Sequence, residues 1–275
     1  MSITVSRLTV YPVKSMAGIA LTEAELTATG IRHDRLWMVV DENNRFLTQR
    51  QHPEMALVTA VPDDDGLSMR FPDGHELRAP LIRDGADRKG NGRVYPVTVW
   101  NDTVDGIDQG DEAARQLTRF LQRPARLVYI SSEHPRRLGD SYPAPAGITV
   151  GFADSAPLHL TSEASLSDLN QRMERPISMD RFRPNIVVSG TTAYEEDHWQ
   201  RVQIGDVTLV VVKPCIRCQM INVNQQTGIK EIDPLETLGT YRSVPRGIGF
   251  GQKVVHEHTG TIRVGDPVAI LEVKS

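Results

Sequence analysis

Two cysteines, Cys215 and Cys218, are the only ones in the chain, and they stand as Cys215-Ile-Arg-Cys218. Such spacing serves more than one chemistry. A zinc site needs four protein ligands, or three and a water; no second cysteine pair exists, and among eight histidines only His256-Glu-His258 forms a compact pair. A thioredoxin-like dithiol needs its thiolate activated at a helix N-terminus. The segment after Cys218, Gln219-Met-Ile-Asn-Val-Asn224, instead alternates like a strand and runs into the turn Gln225-Gln-Thr-Gly228. Two small residues in a core is the bland reading. Arg217 weighs against it, because a guanidinium beside Cys218 is costly to bury without an anion and favours the thiolate. A soft thiolate next to a fixed positive charge suits a soft metal carried in an anionic cofactor. The residues alone leave these readings open.

The elements that must position the pair are mostly strands. Ile3 to Val10, Leu36 to Val40, Leu67 to Phe71, Val97 to Trp100 and Ala125 to Ile130 carry β-branched or aromatic residues at period two between Gly, Pro, Asn or Asp clusters. Asp41-Glu-Asn-Asn44 and Pro62-Asp-Asp-Asp-Gly66 read as hairpin connections. Two segments have helical spacing: Asp111 to Gln122, ending before Pro124, and Ser162 to Met173, which opens on a Ser cap and stops before Pro176. Strand character returns at Pro184 to Ser189, Arg201 to Ile204, Val207 to Lys213, Met220 to Val223 and Pro267 to Leu271. The Pro- and Gly-containing stretch from His134 to Gly151 is the best boundary or crossing loop. Strands spaced by turns, without βαβ alternation, predict a mainly β (α+β) protein built as a small barrel or sandwich.

Composition bounds the function. At 275 residues the chain can bury a substantial core as one large or two modest domains, and 39% apolar with 24% charged residues is an ordinary globular balance. A net charge of −4 gives no field to attract nucleic acid, so any anion site must be a local cluster. The N-terminus alternates at once instead of offering a basic region and an apolar block, and the densest apolar run, Val207 to Val212, is strand-sized; neither secretion nor a membrane helix is expected. Two cysteines fit a reducing compartment, with cytoplasm the default.

Seven motifs in one order make a family resemblance. Tyr11-Pro-Val-Lys-Ser15, Asp34-Arg-Leu-Trp37, Ser162 to Asn170, Phe182-Arg-Pro-Asn185, Cys215-Ile-Arg-Cys218, Pro234-Leu-Glu-Thr-Leu238 and Gly265-Asp-Pro267 closely resemble the MOSC family of molybdoenzymes, most of all its amidoxime-reducing and YcbX-type members. The resemblance implies a MOSC N-terminal β-barrel domain over residues 1–120 and a MOSC β-barrel domain with a few helices over 121–275, holding a molybdenum cofactor (Mo-molybdopterin) between them. It implies Cys218 as the metal ligand; Lys14, Ser15, Arg35, Arg183, Asn185 and Arg217 as grips on the pterin and its phosphate; and Asp154 and Ser155 in a molybdenum-facing loop, Asp154 orienting substrate or passing protons. Charge-assisted bonds from arginines and a lysine to a phosphate are sensible chemistry in their own right. The implied activity is reduction of N-hydroxylated compounds such as amidoximes, hydroxylamines and N-hydroxylated bases. The alternative is a cofactor carrier or sulfur-transfer module without turnover. Two departures stand out. There is no Cys-rich segment for an iron–sulfur domain, so electrons are expected from a separate ferredoxin, flavin reductase or cytochrome. Lys253 stands where related proteins carry an aromatic residue, which puts the substrate pocket in question.

Overall fold

A computed structural model describes residues 2–83, 92–133, 135–139, 145, 147–231 and 233–274. Its largest sheet has nine strands, and eight of them run in the order Val268–Val273, Trp199–Ile204, Val207–Ile216, Gly247–His256, Leu158–Ser162, Ile186–Ser189, Thr4–Val10 and Ile19–Leu21; Ser243–Val244 pairs with Gly247–His256. Neighbours are antiparallel except Leu158–Ser162 and Ile186–Ser189, which are parallel and joined through the helix Glu163–Arg172. Alternate residues of neighbouring strands share a face: Ile186, Val188, Leu158, Leu160, Val202, Leu209 and Val254 all belong to one core. In Thr4–Val10 the inward residues are Val5, Leu8 and Val10, the odd first spacing being permitted by a register shift between Val5 and Arg7.

A second core lies under the four-stranded sheet Trp37–Val40, Arg126–Ile130, Asp102–Asp108, Val94–Val99 and the meander Thr59–Asp63, Gly66–Arg70, Glu76–Pro80. The helix Asp111–Leu121 closes it with Ala113, Ala114, Leu117 and Leu121. A third cluster, with Leu169, Phe182, Ile221, Leu238 and Phe250, packs beneath the cysteine turn; Phe182 and Phe250 stack at 3.9 Å. The protein is thus mainly β, as the sequence predicts, with three α-helices among the described residues. No helix among the described residues is long and apolar enough to cross a membrane.

The capping prediction holds in detail: the Ser162 hydroxyl accepts from the amide of Ser165 at the start of its helix. Three local expectations change. The strand from Val207 runs on to Ile216 and so contains Cys215. Met220 to Val223 is no strand but part of a 3-10 turn, Gln219–Asn222, in which Ile221 N–H donates to the Cys218 carbonyl at 3.2 Å. Burial of Ile221 and Val223 produces the same alternating pattern in either conformation. A short helix at Pro234–Gly239, capped by Asp233, went unread as an element. Of the predicted crossing loop, residues 134, 140–144 and 146 lie outside the described residues.

Candidate functional site

One cleft, partly open to solvent, gathers side chains from segments distant in sequence. Lys14, Ser15, Arg35, Asp154, Ser155, Arg183, Asn185 and Arg217 all line it, so the structure brings together every predicted site residue except Cys218. Cys218 is exposed on the turn between Arg217 and Met220, both of which do line the cleft, and Cys215 lines it too. His159, Phe182 and Lys253 complete the walls.

The arginines are held by a buried frame. Asp34, 2% exposed, accepts from the Tyr11 amide at 2.9 Å, from Asn185 Nδ2 at 3.0 Å and from Arg35 Nη1. Asn185 also donates to the Thr9 carbonyl, while its Oδ1 accepts from Arg35 Nη1 at 2.9 Å and the His159 amide at 3.2 Å. Both faces of the side-chain amide are therefore engaged with the protein. The Tyr11 ring lies 4.4 Å from the Arg35 guanidinium and 4.2 Å from that of Arg183, and so carries both by cation–π contact. Arg183 Nη1 donates to the Met16 carbonyl at 2.6 Å; its Nη2 is buried with no partner. Burial, with Arg35 adding to it against the opposing pull of Tyr11, draws the Arg183 pKa down to about 10. A guanidinium does not deprotonate in practice, so the shift marks a buried cation short of counter-charge.

Three of these residues, Ser15, Arg35 and Arg183, have left-handed backbone, with φ of 66°, 49° and 54°. Such conformations cost roughly 1–3 kcal/mol each for a non-glycine residue and persist where surroundings over-determine them. The surroundings do so here. Gln49 Nε2 donates to the Ser15 carbonyl and exchanges a reciprocal pair of bonds with the Gln225 amide at 3.1 and 3.0 Å. The Phe152 amide donates to the Arg35 carbonyl at 2.7 Å, an approach open only because residue 151 is glycine: a Cβ there would meet that carbonyl at 2.6 Å.

Lys14, 5% exposed, donates to the Phe152 carbonyl at 2.8 Å and pairs with Asp154 at 2.5 Å. Burial lowers its pKa and the Asp154 charge pulls it back. For Asp154, enclosure in the cleft wall would raise the pKa, but the charge and hydrogen bond of Lys14, the Trp100 indole N–H at 2.9 Å and the charge of Lys253 prevail and hold it below the usual carboxylate range. The side chain is still 55% exposed, so that carboxylate faces the cleft as an anion.

At the cysteine turn the guanidinium of Arg217 sits on Cys215 rather than Cys218: Nη1 lies 3.0 Å from the Cys215 sulfur and Nη2 donates to the Phe182 carbonyl at 2.9 Å. In extended chain, residues two apart share a face, which puts Arg217 with Cys215 and turns Cys218 away from it. The Arg217 Nε is buried without a partner, as are Ser15 Oγ and His159 Nε2. His159 was missed in sequence because a lone histidine in the apolar strand Leu158–Ser162 reads as core. Burial, helped by Arg217 and Arg35, holds its pKa well below 6.5. Trp100, which read only as a strand end, was missed as well. Among the described residues no group of three or more His, Cys, Asp or Glu side chains is arranged to hold a metal ion, the arrangement a zinc site requires.

A mainly β chain with an anion-seeking cleft and a cysteine on its rim is the class of protein defined so far. Two domain families match it: the MOSC N-terminal beta barrel domain over residues 2–124 and the MOSC domain over residues 148–269. The chain is 36% identical over 286 residues to mitochondrial amidoxime-reducing component 1 of Homo sapiens, covering 98% of this chain and 83% of that protein. It is 37% identical over 283 residues to mitochondrial amidoxime reducing component 2 of Rattus norvegicus, covering 96% and 82%. Among solved structures, the YUAD protein from Bacillus subtilis aligns over 98% of this chain and 94% of that one, at 13% identity and a TM-score of 0.40. The chain belongs to the MOSC family that includes the mitochondrial amidoxime-reducing components.

Proposed function

We propose that this protein holds a molybdenum cofactor in the cleft and reduces N-hydroxylated compounds, R–NH–OH + 2 e⁻ + 2 H⁺ → R–NH2 + H2O. One observation carries the reading. Three buried donors without partners, Ser15 Oγ, Arg183 Nη2 and Arg217 Nε, meet in a cleft lined by five cationic side chains and a single carboxylate, Asp154. Buried polar groups are almost always satisfied, so unpartnered donors among surplus cations call for an anion with several acceptor oxygens. A pterin phosphate has that chemistry, and the residues fit it.

Arg183 and Arg217 supply charge-assisted hydrogen bonds to the cofactor anion, Ser15 a neutral one, and Arg35 holds the rim through Asp34 and Asn185. Cys218, exposed on a tight turn, provides the soft thiolate that a molybdenum centre accepts. When bound, the cofactor supplies two-electron chemistry and an acceptor for the substrate oxygen. Asp154 stays ionised at neutral pH, so it orients the N-hydroxyl group by accepting its hydrogen bond instead of storing a proton. Electrons come from a separate donor protein. The amidoxime-reducing names of the relatives support the substrate class.

The test is metal and pterin analysis of purified protein, followed by reduction of benzamidoxime with reduced methyl viologen. Loaded protein that turns over no member of a panel of N-hydroxylated compounds would refute the reductase reading and leave a cofactor carrier or sulfur-transfer module in its place.

A further inference from the structure

We propose that Lys253 and Ser155 form an anion subsite in the wall of the cleft, and that the substrate accordingly carries a carboxylate or phosphate remote from its N-hydroxyl group. The inference rests on the proposed reductase reading and extends it to substrate class.

The argument is one of charge and depth. Lys14 is neutralised by Asp154 and Arg35 by Asp34. Arg183 lies deep, 7% exposed, where only a buried anion reaches it, and Arg217 is fixed against Phe182 and Cys215 with its open donor buried. Lys253 is the cation left over. It is half-buried, its ammonium donates to the Ser155 hydroxyl, and no carboxylate of the described residues lies within ion-pair distance of it. A lysine ammonium bonded only to a neutral hydroxyl has two further donors to offer.

Its position is fixed by the sheet. Lys253 sits in Gly247–His256 directly across from His159 on one neighbouring strand and Lys213 on the other. Burial keeps His159 from becoming a cation, and Lys213 has interactions of its own. Side chains directly opposite across strands are close neighbours, so Lys213 stands beside Lys253 as a second basic residue on that part of the sheet. Asp154 next to Ser155 does not meet the need, because Lys14 and the Trp100 indole already hold it. Lys253, Ser155 and Asp154 line the same cleft, so one substrate can reach the anion subsite and Asp154 together.

The experiment compares cofactor-loaded wild-type protein with the Lys253→Met and Ser155→Ala variants, each checked for fold by circular dichroism and for molybdenum and pterin content. Benzamidoxime and 4-carboxybenzamidoxime are assayed for kcat/KM. In parallel, calorimetry measures binding of benzamidine and 4-carboxybenzamidine. The expected result is that Lys253→Met reduces the preference for the carboxylated over the neutral compound about tenfold in both assays, the size of one lost charge-assisted bond. Ser155→Ala should reduce it less. An unchanged preference in either assay overturns the proposal. So does a fall in pterin content in Lys253→Met, which would assign the lysine to the cofactor. If neither amidoxime is reduced by wild-type protein while calorimetry still shows the tenfold difference, the subsite stands and the reductase reading falls.

Discussion

Removing the Arg183 charge should change the stability of the cofactor-free protein little, while weakening its hold on the cofactor. Arg183 is 7% exposed, stacked on Tyr11 at 4.2 Å and bonded to the Met16 carbonyl. Its pKa falls from 12.5 to about 10 because burial penalises the cation. At roughly 1.4 kcal/mol per tenfold, that places about 3 kcal/mol of strain on the charged form at neutral pH. Arg183→Met relieves this strain and loses one hydrogen bond to a charged group, about 1.5–3 kcal/mol, with a cation–π contact of about 0.5–2 kcal/mol. The terms nearly cancel, so thermal unfolding of the apo variant should lie within a few degrees of wild type, given about 2–4 °C per kcal/mol for a chain of this size. In the loaded protein the same substitution removes a charge-assisted contact to the phosphate, one to two decades in affinity. Scanning calorimetry of apo protein and pterin retention after dialysis measure the two effects. A large fall in apo stability with cofactor retention unchanged would show that Arg183 serves the fold and would refute the anion argument.

Three further outcomes are expected. Cys218→Ser should lose bound molybdenum and activity while Cys215→Ser keeps both, as read by metal analysis; equal loss from both would point to a dithiol or zinc site. His159, held well below 6.5 by burial, refuses a proton that the unfolded chain accepts, so its contribution to stability is present above pH 6.5 and declines as the pH falls below that value. His159→Gln should flatten part of that acid-side decline in thermal stability, His256 accounting for a remainder through the same cause, and an unchanged slope would contradict this. Gln49→Ala should destabilise by about 1–3 kcal/mol because it strands the Gln225 amide, with a coupling of at least about 0.5 kcal/mol in a double-mutant cycle with Gln225→Ala; additivity would show the pair to be incidental.

How much was legible in the sequence depends on the range of the forces involved. The strands and the two long helices are specified by neighbours: the β-branched run of Ile186–Ser189, whose alternate residues face two cores, and a Ser162 hydroxyl one turn from the amide it caps. The 3-10 turn at Gln219–Asn222 was misread because four residues are too few for period two to exclude a turn that buries Ile221. The site depends on contacts of another order. Arg35 and Asn185 meet across 150 positions of sequence, Lys14 and Asp154 across 140, and no local pattern in either pair announces the other. Nor does the chain mark its left-handed backbone, since serine and arginine occupy positions where conformational preference alone would favour glycine. Glycine at residue 15, 35 or 183 would relax the backbone and delete the hydroxyl or guanidinium that faces the cleft. The strain at these three positions is therefore the counterpart of the donors they carry, and it is met by the fixed amides and carbonyls of Gln49, Tyr11 and Phe152, of which only Tyr11 belongs to a motif.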